Sequence, residues 1–215
     1  MATATEKNIR FTIVGAIVFI AVILTFFIYS VTRTRAMTDQ EMKNNGAFIF
    51  EQPRVIAPFA LVDQNGKPFT KAELKGRWTL MFFGFTFCPD ICPTTLAEMA
   101  QVMKALDEKY QPDTQVVFVS VDPGRDTPVK IKPYIEYFNP AFVGVTGEFL
   151  ALKRFATELN TPFAKVPGGT PDNYQVEHGS NVVLINPAGE YAGFFKAPIE
   201  AGKVRLTYQS VRMTH

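Results

Sequence analysis

Trp78-Thr79-Leu80-Met81-Phe82-Phe83-Gly84-Phe85 runs almost without a polar break into Phe87-Cys88-Pro89-Asp90-Ile91-Cys92-Pro93, and an amphipathic segment, Thr94 to Tyr110, follows. A short, nearly continuous apolar run fits a central strand covered on both faces. After it, Leu96, Met99, Val102, Met103 and Leu106 recur at helical spacing. The stretch reads as strand, turn and helix, with the only two cysteines of the chain in the turn. A thiol at a helix start is expected to have a depressed pKa, because the first N–H groups and the helix dipole favour negative charge. Such a pair can bind a soft metal, cycle through a disulfide, or both.

Downstream, Gln115 to Val121 reads as a second buried strand that ends at Asp122-Pro123-Gly124. Thr127 and Pro128 open a helix as N-cap and first helical residue. Phe142 to Val145 is a short strand. Glu148 to Asn160 is a helix with Phe149, Leu152, Phe155, Ala156 and Leu159 on one face. Pro162 to Pro171 is a loop with Gly168-Gly169, and Asn173 to Val176 is extended. Asn181 to Ile185 is a buried strand, Asn186-Pro187-Ala188-Gly189 turns the chain into Tyr191 to Phe195, and Ala201 to Val211 is a last helix. Upstream, Phe59 to Val62 and the Asp63-Gln64-Asn65-Gly66 turn start a hairpin that Pro68-Phe69 closes; Asn-Gly is a strong hairpin signal. Thr70-Lys71-Ala72-Glu73 has the form of a capping box, with Gly76 ending the turn. Alternating strands and helices predict an α/β fold, a mixed sheet with helices on both faces. Ligands usually bind such sheets at the strand ends, and Cys88 and Cys92 fall there.

Phe11 to Val31 carries no charge and is almost wholly apolar. About 20 apolar residues span a bilayer core, and Phe26-Phe27-Ile28-Tyr29-Ser30 is a poor signal-cleavage site. The expected organisation is a flank at 1–10, a transmembrane anchor at 11–31, a polar tether at 32–51 and one soluble domain at 52–215. Lys7 and Arg10 at one end balance Arg33 and Arg35 at the other, so the charges do not orient the anchor. The net charge of +2, with no basic run, gives nucleic-acid binding no support.

Cys88 and Cys92 are four residues apart, close enough for a disulfide if local geometry permits. Pro89 and Pro93 each push the preceding cysteine from the α region, so the pair is expected to straddle the helix start. Two inert buried cysteines would be the plain alternative, but that predicts neither proximity nor a turn. His178 stands in Gln175-Val176-Glu177-His178-Gly179-Ser180, just before a strand. A lone histidine is commonly structural, yet imidazole is also a frequent metal ligand. Two thiolates and one imidazole are a poor zinc set, since structural zinc takes four protein ligands. They suit copper: Cu(I) prefers low-coordinate thiolate sites, and imidazole also serves Cu(II). Asp122 and Asp126 read as turn and helix-start residues, and Phe82, Phe83, Phe85 and Phe87 as core or rim aromatics.

Phe85-Thr86-Phe87-Cys88-Pro89-Asp90-Ile91-Cys92-Pro93-Thr94-Thr95-Leu96 resembles the copper motif of the Sco/SenC family. Val119-Ser120-Val121-Asp122-Pro123-Gly124-Arg125-Asp126-Thr127-Pro128 and the loop holding His178 match further along, in the same order. The resemblance implies a membrane-anchored, thioredoxin-like domain whose copper ligands are Cys88, Cys92 and His178. It implies a metallochaperone that delivers copper to the Cu-A site of the copper-bearing subunit of cytochrome c oxidase, after loading by an upstream copper donor. The alternative it leaves open is a thiol-disulfide reductant acting through a Cys88/Cys92 redox disulfide. Against a general reductant, the spacing is Cys-x-x-x-Cys, and no proline directly precedes Asn181–Ile185. Two departures stand out. The family often has Asp-His-Ser or Asp-His-Thr where this chain has Glu177-His178-Gly179, and some members have histidine where this chain has Phe87. The implied place is the bacterial inner membrane with the soluble domain in the periplasm. The alternative is the mitochondrial inner membrane facing the intermembrane space, though Met1 to Arg10 is short for a presequence and contains Glu6.

Overall fold

Strand β4 (Trp78–Gly84) lies at the middle of an eight-stranded sheet, and every one of its residues is buried. The computed structural model describes residues 4–32, 35–168, 170 and 174–214. Arg33, Gly169, Pro171, Asn173 and His215 lie outside these. β4 pairs in parallel with β5 (Thr114–Ser120), which pairs in parallel with β6 (Val143–Thr146). On its other edge β4 pairs antiparallel with β9 (Val182–Ile185), and β9 with β10 (Glu190–Phe195). The hairpin β2 (Leu61–Asp63) and β3 (Pro68–Phe69) extends the sheet beyond β6. The expected mixed sheet is present.

Alternate residues of the central strands feed two cores. Leu80, Phe82, Val116, Phe118, Val182 and Leu184 pack with helices α3 (Ile91–Ala105), α4 (Pro128–Phe138) and α6 (Ala201–Thr214). Met81, Phe83, Val117, Val119, Val183 and Ile185 pack with helix α5 (Phe149–Glu158) and the 56–74 segment. Burying one such large apolar side chain is worth about 1.5–3 kcal/mol, and Phe82, Phe83 and Phe118 are fully buried. That burial makes the C-terminal end of β4 a rigid base.

Three boundaries differ from expectation. Residues expected to be a tether contain helix α2 (Asp39–Asn44) and strand β1 (Ala47–Val55), which pairs with β10. The folded unit starts at Met37 rather than at 52. Thr38 and Glu41 cap α2 reciprocally. β1 escapes pattern reading because it is an edge strand, exposed over half its length and broken in register between Ile49 and Arg54. Helix α3 begins at Ile91, ahead of the expected Thr94, because Pro93 falls in its first turn, where a missing N–H breaks no bond. It ends at Ala105, and Glu108–Tyr110 forms a separate 3-10 turn. The expected loop after Pro162 contains a short strand, β7 (Ala164–Lys165), paired with β8 (Val176–Glu177).

Described by itself, helix α1 (Ala4–Thr32) contains Phe11–Ser30, a stretch long and apolar enough to cross a membrane, with its side chains exposed.

Candidate metal centre

The turn between β4 and α3 carries the thiols. Cys92 is the second residue of α3 and is fully buried; Cys88 lies before the helix and is partly exposed. The pair straddles the helix start, as the prolines imply. Gly84 closes β4 because a side chain there is excluded: a Cβ would lie 2.6 Å from Cys92 Sγ and 3.0 Å from the Phe118 ring.

One buried carboxylate fixes the approach to Cys88. Asp126, with no exposed surface, accepts from Thr86 N at 2.8 Å, Thr86 Oγ1 at 2.5 Å and Ser120 Oγ at 2.6 Å. It ties the thiol turn to the end of β5. Sequence reading gave Asp126 only a helix-start role. Its real partners lie 40 residues upstream and on a neighbouring strand, so no local spacing marks them.

His178 follows β8 and reaches the thiols from the other side. Its Nε2 is 3.5 Å from Cys92 Sγ. Its Nδ1 is 3.0 Å from the Gly179 carbonyl oxygen; with the proton on Nδ1, Nε2 presents its lone pair to the sulfurs. The ring meets Phe82 and Phe85 edge-on, at 6.0 and 5.7 Å. At Gly179 a Cβ would stand 3.2 Å from Thr161 Cα, a tight fit for any side chain. The four phenylalanines divide as expected. Phe82, Phe83 and Phe85 are buried, and Phe87 is a half-exposed rim residue.

The ligand atoms of Cys88, Cys92 and His178 all lie within 4.8 Å of one another. Their electrostatics correct one expectation. Burial pushes the Cys92 thiol well above its ordinary pKa, outweighing the help of the Phe85 backbone. A helix start should depress that value, but Cys92 is sealed from water, and desolvation wins. Burial also lowers the pKa of His178, against the opposing pull of backbone hydrogen bonds, so the imidazole is neutral at pH 7. The resting site therefore holds a protonated Cys92 thiol and a neutral ring. A soft cation that takes its place between two sulfurs and one nitrogen must displace the thiol proton. Among the described residues no fourth His, Cys, Asp or Glu joins the cluster, which disfavours structural zinc and fits a low-coordinate soft metal.

Beside the cluster, Arg125 and Asp122 form a buried ion pair with Nε to Oδ2 at 2.5 Å, and Tyr174 OH donates to Asp122 Oδ1 at 2.5 Å. Sequence reading gave Arg125 no role beyond its place in the Val119–Pro128 motif, and Tyr174 none beyond an extended stretch. Each looks like an ordinary loop residue until the fold places them together.

The SCO1/SenC family model matches residues 49–209. A SCO2-like protein of Rickettsia felis is 42% identical over 138 residues, covering 64% of this chain and 67% of that protein. Bradyrhizobium japonicum ScoI, solved with copper bound, is 35% identical with a TM-score of 0.64, over 73% of this chain and 97% of that one. BsSco, a member of the Sco family of cytochrome c oxidase assembly proteins, shares the fold at 24% identity and a TM-score of 0.61, over 77% of this chain and 96% of that one. With a family match across most of the folded unit and the thioredoxin-like architecture of its relatives, this chain belongs to the SCO1/SenC family.

Proposed function

We propose that this protein binds copper through Cys88, Cys92 and His178 and delivers it to the Cu-A site of cytochrome c oxidase. The observation that carries the reading is the convergence of two sulfurs and one imidazole nitrogen within 4.8 Å, from segments 86 residues apart. ScoI of Bradyrhizobium japonicum holds copper in its solved structure, and the Sco family is one of cytochrome c oxidase assembly proteins. Copper is cargo here. Cys88, the more exposed thiol, is the entry ligand; Cys92 and His178 complete the set from inside. A partly open three-ligand site lets a recipient's own ligands replace these one by one. The apolar helix α1 anchors the domain, which we place on the periplasmic side of a bacterial inner membrane, where an upstream donor would load it.

A second reading, a thiol-disulfide reductant for the oxidase copper site, has one observation in its favour: both cysteines are free and close together. The raised pKa of Cys92 makes it a poor attacking thiolate at neutral pH, so any exchange would begin at Cys88. His178→Ala separates the two readings. For a delivery protein, cells carrying it lose assembled oxidase while its thiols still exchange with a small disulfide in vitro. Intact oxidase assembly in those cells, with assembly lost only when the thiols are locked as a disulfide, would favour the reductant.

A further inference from the structure

We propose that Arg125, seated on Asp122, is a clamp that sets His178 against the thiol pair by gripping Tyr174 on one segment and Phe87 on the other. The inference rests on the three-ligand reading above. The guanidinium carbon lies 3.6 Å from the Tyr174 ring centroid and 4.7 Å from that of Phe87. Arg125 NH2 also donates to the Tyr174 carbonyl oxygen at 2.9 Å. Phe87 directly precedes Cys88, and Tyr174 lies four residues before His178. One side chain thus touches the neighbours of both halves of the site.

The His178 segment needs such a hold. Its own strand, β8, makes only two residue pairs with β7, extended by Val166 N donating to the Gln175 carbonyl at 2.9 Å. A two-stranded ribbon of that length is marginal in water by itself. The clamp instead rests on the sheet. Asp122 follows β5, its N–H donates to Ser120 Oγ at 3.2 Å, and both its carboxylate oxygens are engaged, by Arg125 and by Tyr174 OH. Arg125 is 8% exposed and Asp122 4%. A buried, charge-assisted hydrogen-bond set of this kind fixes geometry more than it adds stability. The planar fork lies against two rings while donating in fixed directions to Asp122 and the Tyr174 carbonyl, a geometry that a compact ammonium does not reproduce.

The test uses Arg125→Lys in the full chain in detergent. In the metal-free protein, amide exchange at Gln175 to Gly179 should rise by about tenfold, with β4 and β5 unchanged. The Cu(II) complex of the variant should keep its sulfur-to-copper absorption and lose the nitrogen coupling in its electron paramagnetic resonance spectrum. Tyr174→Phe, which keeps the ring and loses one hydrogen bond, should retain the nitrogen coupling. Should Arg125→Lys fail to fold, Tyr174→Ala replaces it, with the same local signature expected. Parent-like exchange at 175–179 in the folded variant, or an equal rise in β4 and β5, overturns the clamp. The exchange arm contains no copper. A parent protein that takes up no copper would therefore sink the metal reading while exchange still decides the clamp.

Discussion

The two halves of the proposed metal centre are built in opposite ways. The thiol half grows from the middle of the sheet: β4 is buried at every residue, Gly84 leaves room for Cys92 Sγ, and Asp126 holds the turn through three hydrogen bonds. The His178 half is held by a two-residue ladder, a buried ion pair, the buried Val176 and the edge contacts of its own ring with Phe82 and Phe85. One half is set by the core of the domain; the other combines a few core contacts with tertiary contacts among loops. A metal carrier gains from that difference, because a fixed pair of sulfurs retains the ion while a more yielding imidazole lets a recipient compete for it. Local stability in proteins varies in this manner, with binding segments drawn from the weaker end.

The contrast can be broken hardest at Asp126. Asp126→Ala leaves the Thr86 N–H and hydroxyl and the Ser120 hydroxyl without their acceptor, and should destabilise the domain by about 3 kcal/mol. Chemical denaturation of the metal-free protein checks this, and loss of copper binding through the thiols should accompany it. A change under about 1 kcal/mol would mean that the turn is held by something else. Gly84→Ala comes next. Its Cβ would sit 2.6 Å from Cys92 Sγ, so α3 or the sulfur must move; overpacking of this kind costs about 1–3 kcal/mol. Here the Cu(II) sulfur absorption should shift while exchange at 175–179 stays at the parent level, the mirror image of the clamp variant.

The smallest effect is a dependence on pH. The folded pKa of Cys92 is raised, so its contribution is full below the unfolded thiol value and is lost as pH rises beyond it. The folded pKa of His178 is lowered, so its contribution is present above the unfolded imidazole value and fades as pH falls through that region. Metal-free protein should therefore lose stability on both flanks of neutrality. Cys92→Ser should flatten the alkaline flank and His178→Ala the acid one. Unchanged melting curves across pH 5 to 10 in these variants would remove desolvation as the cause.

Much of this was legible in the chain before any coordinates. The apolar run of β4, the helical spacing of Leu96, Met99 and Val102, and the Thr127-Pro128 helix start all carry their structure locally. The thiols and His178 were also nameable as candidates, the thiols by their turn and His178 by its loop before a strand and then by resemblance. What escaped was non-local or weakly patterned. β1 is an edge strand with little alternation, Asp126 answers partners on two other elements, and Arg125 and Tyr174 acquire meaning only through stacking across loops. The expected low pKa of Cys92 failed for the same reason, since a helix start is visible in sequence and burial is not.

The most direct test of the central claim is a competition titration of the full chain with Cu(I), run on the reduced and the disulfide forms side by side. The reduced protein should bind one ion, with an apparent affinity that rises with pH as the Cys92 proton is displaced. The disulfide form should bind none, because its sulfurs are no longer thiolates. Equal retention of Cu(I) by the two forms would contradict a site built on Cys88 and Cys92.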